Sequence, residues 1–151
     1  MRVTEVRIRL AEGKKTRKGR LKAFGSSLTL DNMFVVRELK IIEGVGGLFV
    51  GIPDRELTDR CGHCRHKTPL QDWYCARCGT RLDENRAFRS TDGRTKLFAD
   101  VAHPINNACR EMIESAVLQA YADELELAKQ SRYRSRYGDF DKARAEDPHN
   151  Q

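Results

Sequence analysis

Four cysteines stand at positions 61, 64, 75 and 78, as Cys-Gly-His-Cys and Cys-Ala-Arg-Cys with ten residues between the pairs. Thiolates are soft ligands, and Zn²⁺ takes four of them in a tetrahedron. A C-x-x-C turn folds its two sulfurs toward one point, so two such turns supply two pairs. The residues between can form a small hairpin that brings the pairs together. Two disulfides or a redox dithiol are the competing readings, but a redox site needs one pair and this chain has two. The spacing predicts one structural Zn²⁺ per chain on Cys61, Cys64, Cys75 and Cys78. Four thiolates leave no position for a reactive water, so no enzyme chemistry is expected. His63 and His66 lie inside the cluster and take solvated or supporting roles. Cys109, far along the chain, reads as a small core residue on a helix.

The surroundings favour metal over disulfides. No apolar run approaches the roughly 20 residues needed to cross a bilayer. The opening Met1-Arg2-Val3-Thr4-Glu5 lacks the apolar stretch of a signal peptide. The expected location is a reducing cytoplasm, with association with the nucleoid allowed, where thiols persist and bind metal.

Charge is unevenly spread. The chain has 151 residues, a third of them charged, and a formal net charge of +6. Nine Lys and Arg lie between Arg2 and Lys22 against Glu5 and Glu12, a local excess of +7. A localised basic stripe suits a polyanion such as nucleic acid. The bland reading is a solvated hairpin whose lysines resist edge-to-edge aggregation. The candidate phosphate contacts are Lys14, Lys15, Arg17, Lys18, Arg20 and Lys22.

The elements that must carry these residues follow from periodicity. Val6, Ile8 and Leu10 alternate with Arg7 and Arg9, the period of a half-buried strand. Residues 12–20 read as a basic loop. A second strand is expected over 21–30, a turn at Asp31-Asn32, a third strand over 34–42, a turn at 44–47 and a short strand over 48–52, stopped by Pro53. This predicts an α+β fold: a small antiparallel meander, then a C-terminal amphipathic helix from Ile105 to about Lys129. Cys109, Met112, Ile113, Ala116, Val117 and Ala120 form the helix's apolar side. Glu111, Glu114, Asp123, Glu124 and Glu126 form an acidic side unsuited to nucleic acid. Domain boundaries are expected at 1–53 and 97–129 for the core, 54–96 for an inserted zinc ribbon, and 130–151 for a disordered polar tail. Within that tail, Ser131 to Tyr137 interleaves arginine with tyrosine and could contact phosphates and bases.

The segment from Gly19 to Asn32 (Gly-Arg-Leu-Lys-Ala-Phe-Gly-Ser-Ser-Leu-Thr-Leu-Asp-Asn), Phe34-Val35-Val36, Gly47-Leu48-Phe49-Val50, the run Asp100-Val-Ala-His-Pro-Ile-Asn106, and Arg110 occur together and in this order. In these stretches the chain resembles the SpoVG family of bacterial septation and sporulation regulators. The resemblance covers residues 2–53 and 97–127. It implies a curved antiparallel sheet with a C-terminal helix, pairing as a homodimer that binds DNA and in some members RNA. His103, next to Pro104, could be read as a catalytic base but has no visible partner in the sequence, and it reads as structural at the helix entrance. The chain departs from the family where a short basic loop is replaced by the cysteine insert. The family's Lys-Arg in that loop corresponds roughly to Arg55-Glu56, and a basic residue before the Asp of the Ala-His-Pro motif is Ala99. Arg55 is the remaining candidate contact there.

The insert from 54 to 99 holds ten Lys and Arg against seven Asp and Glu. Arg65, Lys67, Arg77 and Arg81 flank the knuckles and would offset a four-thiolate zinc site of about −2. Gly79 permits a tight backbone after Cys78, and Trp73 or Tyr74 is expected to cover the metal. Two roles are open for the ribbon: extra contacts to nucleic acid, or a dock for a partner protein.

Overall fold

A computed structural model describes residues 1–11 and 13–130. The Arg/Tyr-rich segment 131–137 and the rest of the tail lie outside the described residues. The chain divides into two compact units: Met1–Pro53 with the chain from Ala102 onward, and Asp54–Val101.

The first unit is a curled sheet closed by a helix. Strands β1 (Val3–Arg7), β2 (Lys15–Thr16), β3 (Gly19–Leu30), β4 (Phe34–Gly44) and β5 (Gly47–Gly51) form it. The order is β1-β3-β4-β5, with β2 also on β3 and all pairs antiparallel. This is the expected meander. Asp31 and Asn32 take the turn with φ of 50° and 54°, and Met33 N–H closes it on Leu30 O at 2.9 Å. Asp31 also accepts from the Arg2 amide at 2.8 Å, which ties β1 to the turn. Gly44 and Gly47 pair across the second turn.

One expected loop is a hairpin. Lys15 pairs with Arg20 and Thr16 with Gly19, leaving Arg17-Lys18 as the two-residue tip. The first expected strand is also displaced, covering Val3–Arg7 instead of 6–10. Beyond Arg7 the regular ladder breaks, because Arg9 N–H bonds the Ser26 hydroxyl at 3.2 Å where a backbone carbonyl would serve. Pairing resumes at an isolated bridge from Leu10 to Ala23.

Bulges curl the sheet. Between the pairs Ala23–Ile41 and Ser26–Leu39, β3 carries one residue more than β4. Between Ser26–Leu39 and Leu28–Val36 the extra residue is on β4. Gly25 (φ 66°) and Glu38 (φ 61°) sit at these places in the left-handed region. Each bulge bends and twists its strand, so the two edges of the sheet approach one helix. Glycine meets this need freely, whereas a side chain there costs roughly 1–2 kcal/mol. Replacing Glu38 by Gly removes that cost but raises unfolded-state entropy by about 0.4–1 kcal/mol. The expected net is a gain of about 0.5–1 kcal/mol, read as a higher urea midpoint at unchanged slope.

Helix α1 (Asn107–Ala128) packs on β1 and β5. Pro104 and the exposed Ile105 precede it, and the Asn106 side chain caps it by accepting from Cys109 N–H at 2.8 Å. Val117 and Tyr121 enter a core with Ile8, Ala23, Leu28, Leu39, Ile41 and Val50. Glu124, expected on the solvated acidic face, is 1% exposed. Positions 117, 121 and 124 follow helical spacing, so the stripe that faces the sheet runs on into a charged residue. Cys109 is half-buried on the same helix. No described helix is long and apolar enough to cross a membrane.

The second unit holds two small sheets. Strand β6 (Asp54–Glu56) pairs with β9 (Phe98–Asp100), and β7 (Thr58–Arg60) pairs with β8 (Lys67–Pro69). The pairing of β9 with β6 places 97–101 with the insert, although the reading above grouped these residues with the core.

Candidate metal centre and basic hairpin

All four candidate ligand sulfurs lie within 4.8 Å of one another. Cys61 Sγ is 3.7 Å from Cys78 Sγ, and Cys64 Sγ is 3.6 Å from Cys75 Sγ. Sulfurs bound at about 2.3 Å to one tetrahedral ion are separated by about 3.8 Å, while a disulfide requires about 2.05 Å. The separations fit four ligands around one ion and exclude bonded pairs. Each close pair spans the two knuckles, so an ion here would tie them together.

The knuckles are built alike. Arg65 N–H bonds Cys61 O and Gly79 N–H bonds Cys75 O, each at 2.9 Å. Cys61 N–H bonds His66 O at 2.8 Å, and Cys75 N–H bonds Thr80 O at 2.9 Å. The residue after each second cysteine is left-handed, Arg65 at φ 65° and Gly79 at φ 74°. The glycine anticipated at 79 thus has an arginine as its counterpart, held there by the bonds of the knuckle.

The sulfurs differ in their surroundings. Amides of Cys64 and His63 hold the Cys61 thiol below its ordinary range. The Thr80 hydroxyl and amide pull Cys78 down to about 5. For Cys64 the His66 amide favours the thiolate, but burial and the three neighbouring sulfurs together push it up to about 11. Four sulfurs this close cannot all be anionic without a cation between them. The set can therefore hold a soft divalent ion.

Neither aromatic ring covers the site. Trp73 is 64% and Tyr74 56% exposed, and the small core beside the sulfurs is Cys61, Cys75 and Leu82. A side chain the sequence did not flag supplies the missing rigidity. The Arg86 guanidinium donates to Thr68 Oγ1 at 2.6 Å, to Asp72 O at 3.0 Å and to Pro69 O. Thr68, itself 1% exposed, donates to Asp59 O at 3.1 Å. Arg86 thus clamps β8 to the chain entering the second knuckle. Hydrogen bonds to a charged donor contribute roughly 1.5–3 kcal/mol each. Arg86→Ala should destabilise the unit by about 3 kcal/mol and make metal loss to a chelator at least about tenfold easier. Arg86→Lys should recover only part of this, because one ammonium cannot reproduce the planar fork.

The basic hairpin belongs to the first unit. Lys14, Lys15, Arg17, Lys18 and Arg20 are exposed. Among the described residues Lys14, Lys15, Arg17 and Lys18 have no ion pair. Lys22 differs: its Nζ lies 2.9 Å from Glu43 Oε2, which leaves it less charge to offer a phosphate. The Lys22 ammonium in turn holds the Glu43 carboxyl below the usual carboxylate range. That pairing is present above the ordinary range and is lost as pH falls through the lowered value. Arg55 is exposed on β6 of the other unit.

The family is now decided by comparison. The sequence model of the SpoVG family matches residues 1–123. The chain belongs to the SpoVG family. "Putative septation protein SpoVG" of Clostridium acetobutylicum is 39% identical over 121 residues, 80% of this chain and 84% of that one. The protein of the same name from Caldicellulosiruptor saccharolyticus is 38% identical over 121 residues, 80% of this chain and 91% of its own. That of Clostridioides difficile is 34% identical over 125 residues, 83% and 91%. The SpoVG resemblance read from Leu-Thr-Leu-Asp-Asn and Ala-His-Pro-Ile-Asn is thereby established, and so is the α+β fold. The Asp31-Asn32 pair makes the β3–β4 turn, and the Asn of the second run, Asn106, caps the SpoVG helix.

Proposed function

We propose that this SpoVG-family protein is a dimeric, non-enzymatic regulator of septation, sporulation or related gene expression that binds nucleic acid, DNA or RNA, through its basic hairpin. One observation carries the reading. Four cations with no acidic partner among the described residues, Lys14, Lys15, Arg17 and Lys18, stand on a two-stranded finger whose base is fixed to the sheet. Phosphates are recognised by such a cluster without any base contact. The adjacent Arg20 adds a fifth charge, whereas Lys22 is assigned to Glu43. Arg55 is a further candidate contact. The ribbon carries one structural Zn²⁺ on Cys61, Cys64, Cys75 and Cys78. The relatives' septation names support the pathway, and the homodimer gives a small core additional buried surface.

Replacing Lys15 and Lys18 by Ala should weaken binding to unrelated sequences by a similar factor. It should also reduce the salt dependence by about one unit of slope per residue. Unchanged binding would move the contact off the hairpin. Metal analysis of the purified chain should give one zinc, and a Cys61→Ser, Cys78→Ser variant should give none.

A further inference from the structure

The unit Asp54–Val101 buries none of its aromatic rings. Trp73, Tyr74, Phe88 and Phe98 are its only Phe, Tyr and Trp residues, and all are exposed, Phe88 most at 73%. What stands across the strand from each ring separates them. Trp73 is opposite Leu82, in a cleft lined by Asp72, Asp83 and Glu84. Tyr74 is opposite Arg81, whose guanidinium is held by Glu84 at 2.7 Å. Phe98 is opposite Glu56. Phe88 differs: the residue opposite it is Lys96, which has no ion pair among the described residues.

A small hairpin fixes this pair. The Arg89–Thr95 bridge is flanked by Lys96 N–H to Phe88 O at 2.8 Å and by Ser90 N–H to Arg94 O at 2.9 Å. In an antiparallel ladder these bonds set Phe88 against Lys96 and Ser90 against Arg94 on one face, with Arg89 on the other. Side chains directly opposed in this way start about 5 Å apart. Gly93, at φ 77°, closes the tip by donating to Ser90 O at 2.9 Å. Asp92 accepts from the Arg94 amide at 3.2 Å and lies 3.7 Å from the Arg94 guanidinium. The hairpin's one carboxylate is thus engaged with Arg94, and Lys96 is the charge left beside the ring.

We propose that residues 88–96 form a subsite for single-stranded nucleic acid, with one base stacked on Phe88 and an adjoining phosphate on Lys96. An exposed ring stacks on an unpaired base of any identity. In a duplex the base faces are covered by their neighbours, so a duplex has none to offer the ring. A protein partner would have to bury the ammonium together with the ring, and lysine is depleted from protein interfaces. The subsite presupposes the nucleic-acid binding proposed above. It adds a contact for single strands to the phosphate contacts of the first unit's hairpin.

The test compares the zinc-supplemented full chain with its Phe88→Leu variant. The probes are a mixed-sequence dodecamer as single-stranded DNA, the same sequence as RNA, and the DNA duplex. Phe88→Leu removes the ring and no charge. Binding to at least one of the single strands should weaken by about fivefold or more, with the salt slope unchanged, and duplex binding should not move. Lys96→Ala should reduce the single-strand slope by about 0.7. Phe88→Tyr should bind like the original chain, and Phe98→Leu, at a ring that faces a carboxylate, should have no effect. An abasic strand of the same length keeps its phosphates and offers nothing to stack. Phe88→Leu should therefore leave its affinity unchanged, which separates lost stacking from general damage to the unit. Single-strand binding indifferent to Phe88→Leu, or weakened equally by Phe98→Leu, would overturn the subsite and leave the first hairpin's role standing. Failure of the original chain to bind any of the three probes would overturn the nucleic-acid reading itself, and the subsite with it.

Discussion

If the four-cysteine site holds zinc, as proposed, removing the ion is expected to unfold residues 54–101 and leave the sheet and helix of the first unit intact. The expectation rests on what else could hold the ribbon. Its buried apolar cluster is Cys61, Cys75 and Leu82, and two of these are proposed ligands. Leu82 contributes roughly 2 kcal/mol by burial. Structural zinc contributes roughly 10–16 kcal/mol in small finger peptides, so the ion outweighs every other contribution in this unit. The first unit has its own core of eight buried residues and shares no ligand with the site. Amide exchange before and after chelation reads the two separately. Protection should vanish at Cys61, Cys75 and Leu82 and persist at Ile41 and Val117. A ribbon that keeps its protection without metal would show that the thiols are not its main support.

The second large effect is at the root of the basic hairpin. Gly19 has φ 145°, and a Cβ built there would lie 2.2 Å from Glu43 O and 2.9 Å from its carbon. Those are backbone atoms of β4, which no rotamer change can move aside. Gly19→Ala must lift β2 and the start of β3 off β4. Strained backbone of this kind costs about 1–3 kcal/mol, and the lost strand contacts add to it, so a loss of about 3 kcal/mol is expected in urea unfolding. The displacement also separates Lys22 from Glu43 and misplaces Lys15 and Arg20. Affinity for nucleic acid should fall although no charge is removed. Gly46→Ala, where a Cβ meets nothing within 4 Å, is the matching control and should be near neutral.

Local chemistry explains which features could be read in advance. The turn at Asp31-Asn32 and that at 44–47 were legible because few residues adopt their backbone. The clustering of the four cysteines was legible because four thiols at knuckle spacing have few uses other than holding a metal. The bulge at Glu38 was not, since glutamate prefers ordinary backbone and only the curvature demanded by the helix holds it at φ 61°. The hairpin tip at Arg17-Lys18 was hidden for the same reason: neither residue is a turn former, and Thr16 supports the tip by donating to Gly19 O at 2.8 Å. Arg86 looked like one more surface cation in a polar run. Its clamp depends on carbonyls of Pro69 and Asp72, distant in sequence, which no periodicity reports. Trp73 and Tyr74 were expected to cover the metal because the unit is small. The rings are instead exposed, and Leu82 is the apolar side chain packed beside the buried Cys61 and Cys75.

The measurement that bears most directly on function is a salt titration of binding to a short duplex DNA. Each phosphate neutralised contributes about −0.9 to the slope of log affinity against log salt. Five hairpin cations, with Lys22 excluded by its ion pair, predict a slope of about −4.5 for each chain engaged. In the Lys15→Ala, Lys18→Ala variant it should fall to about −2.7. A flat titration, or one whose slope is the same in the variant, would contradict a nucleic-acid surface on this hairpin.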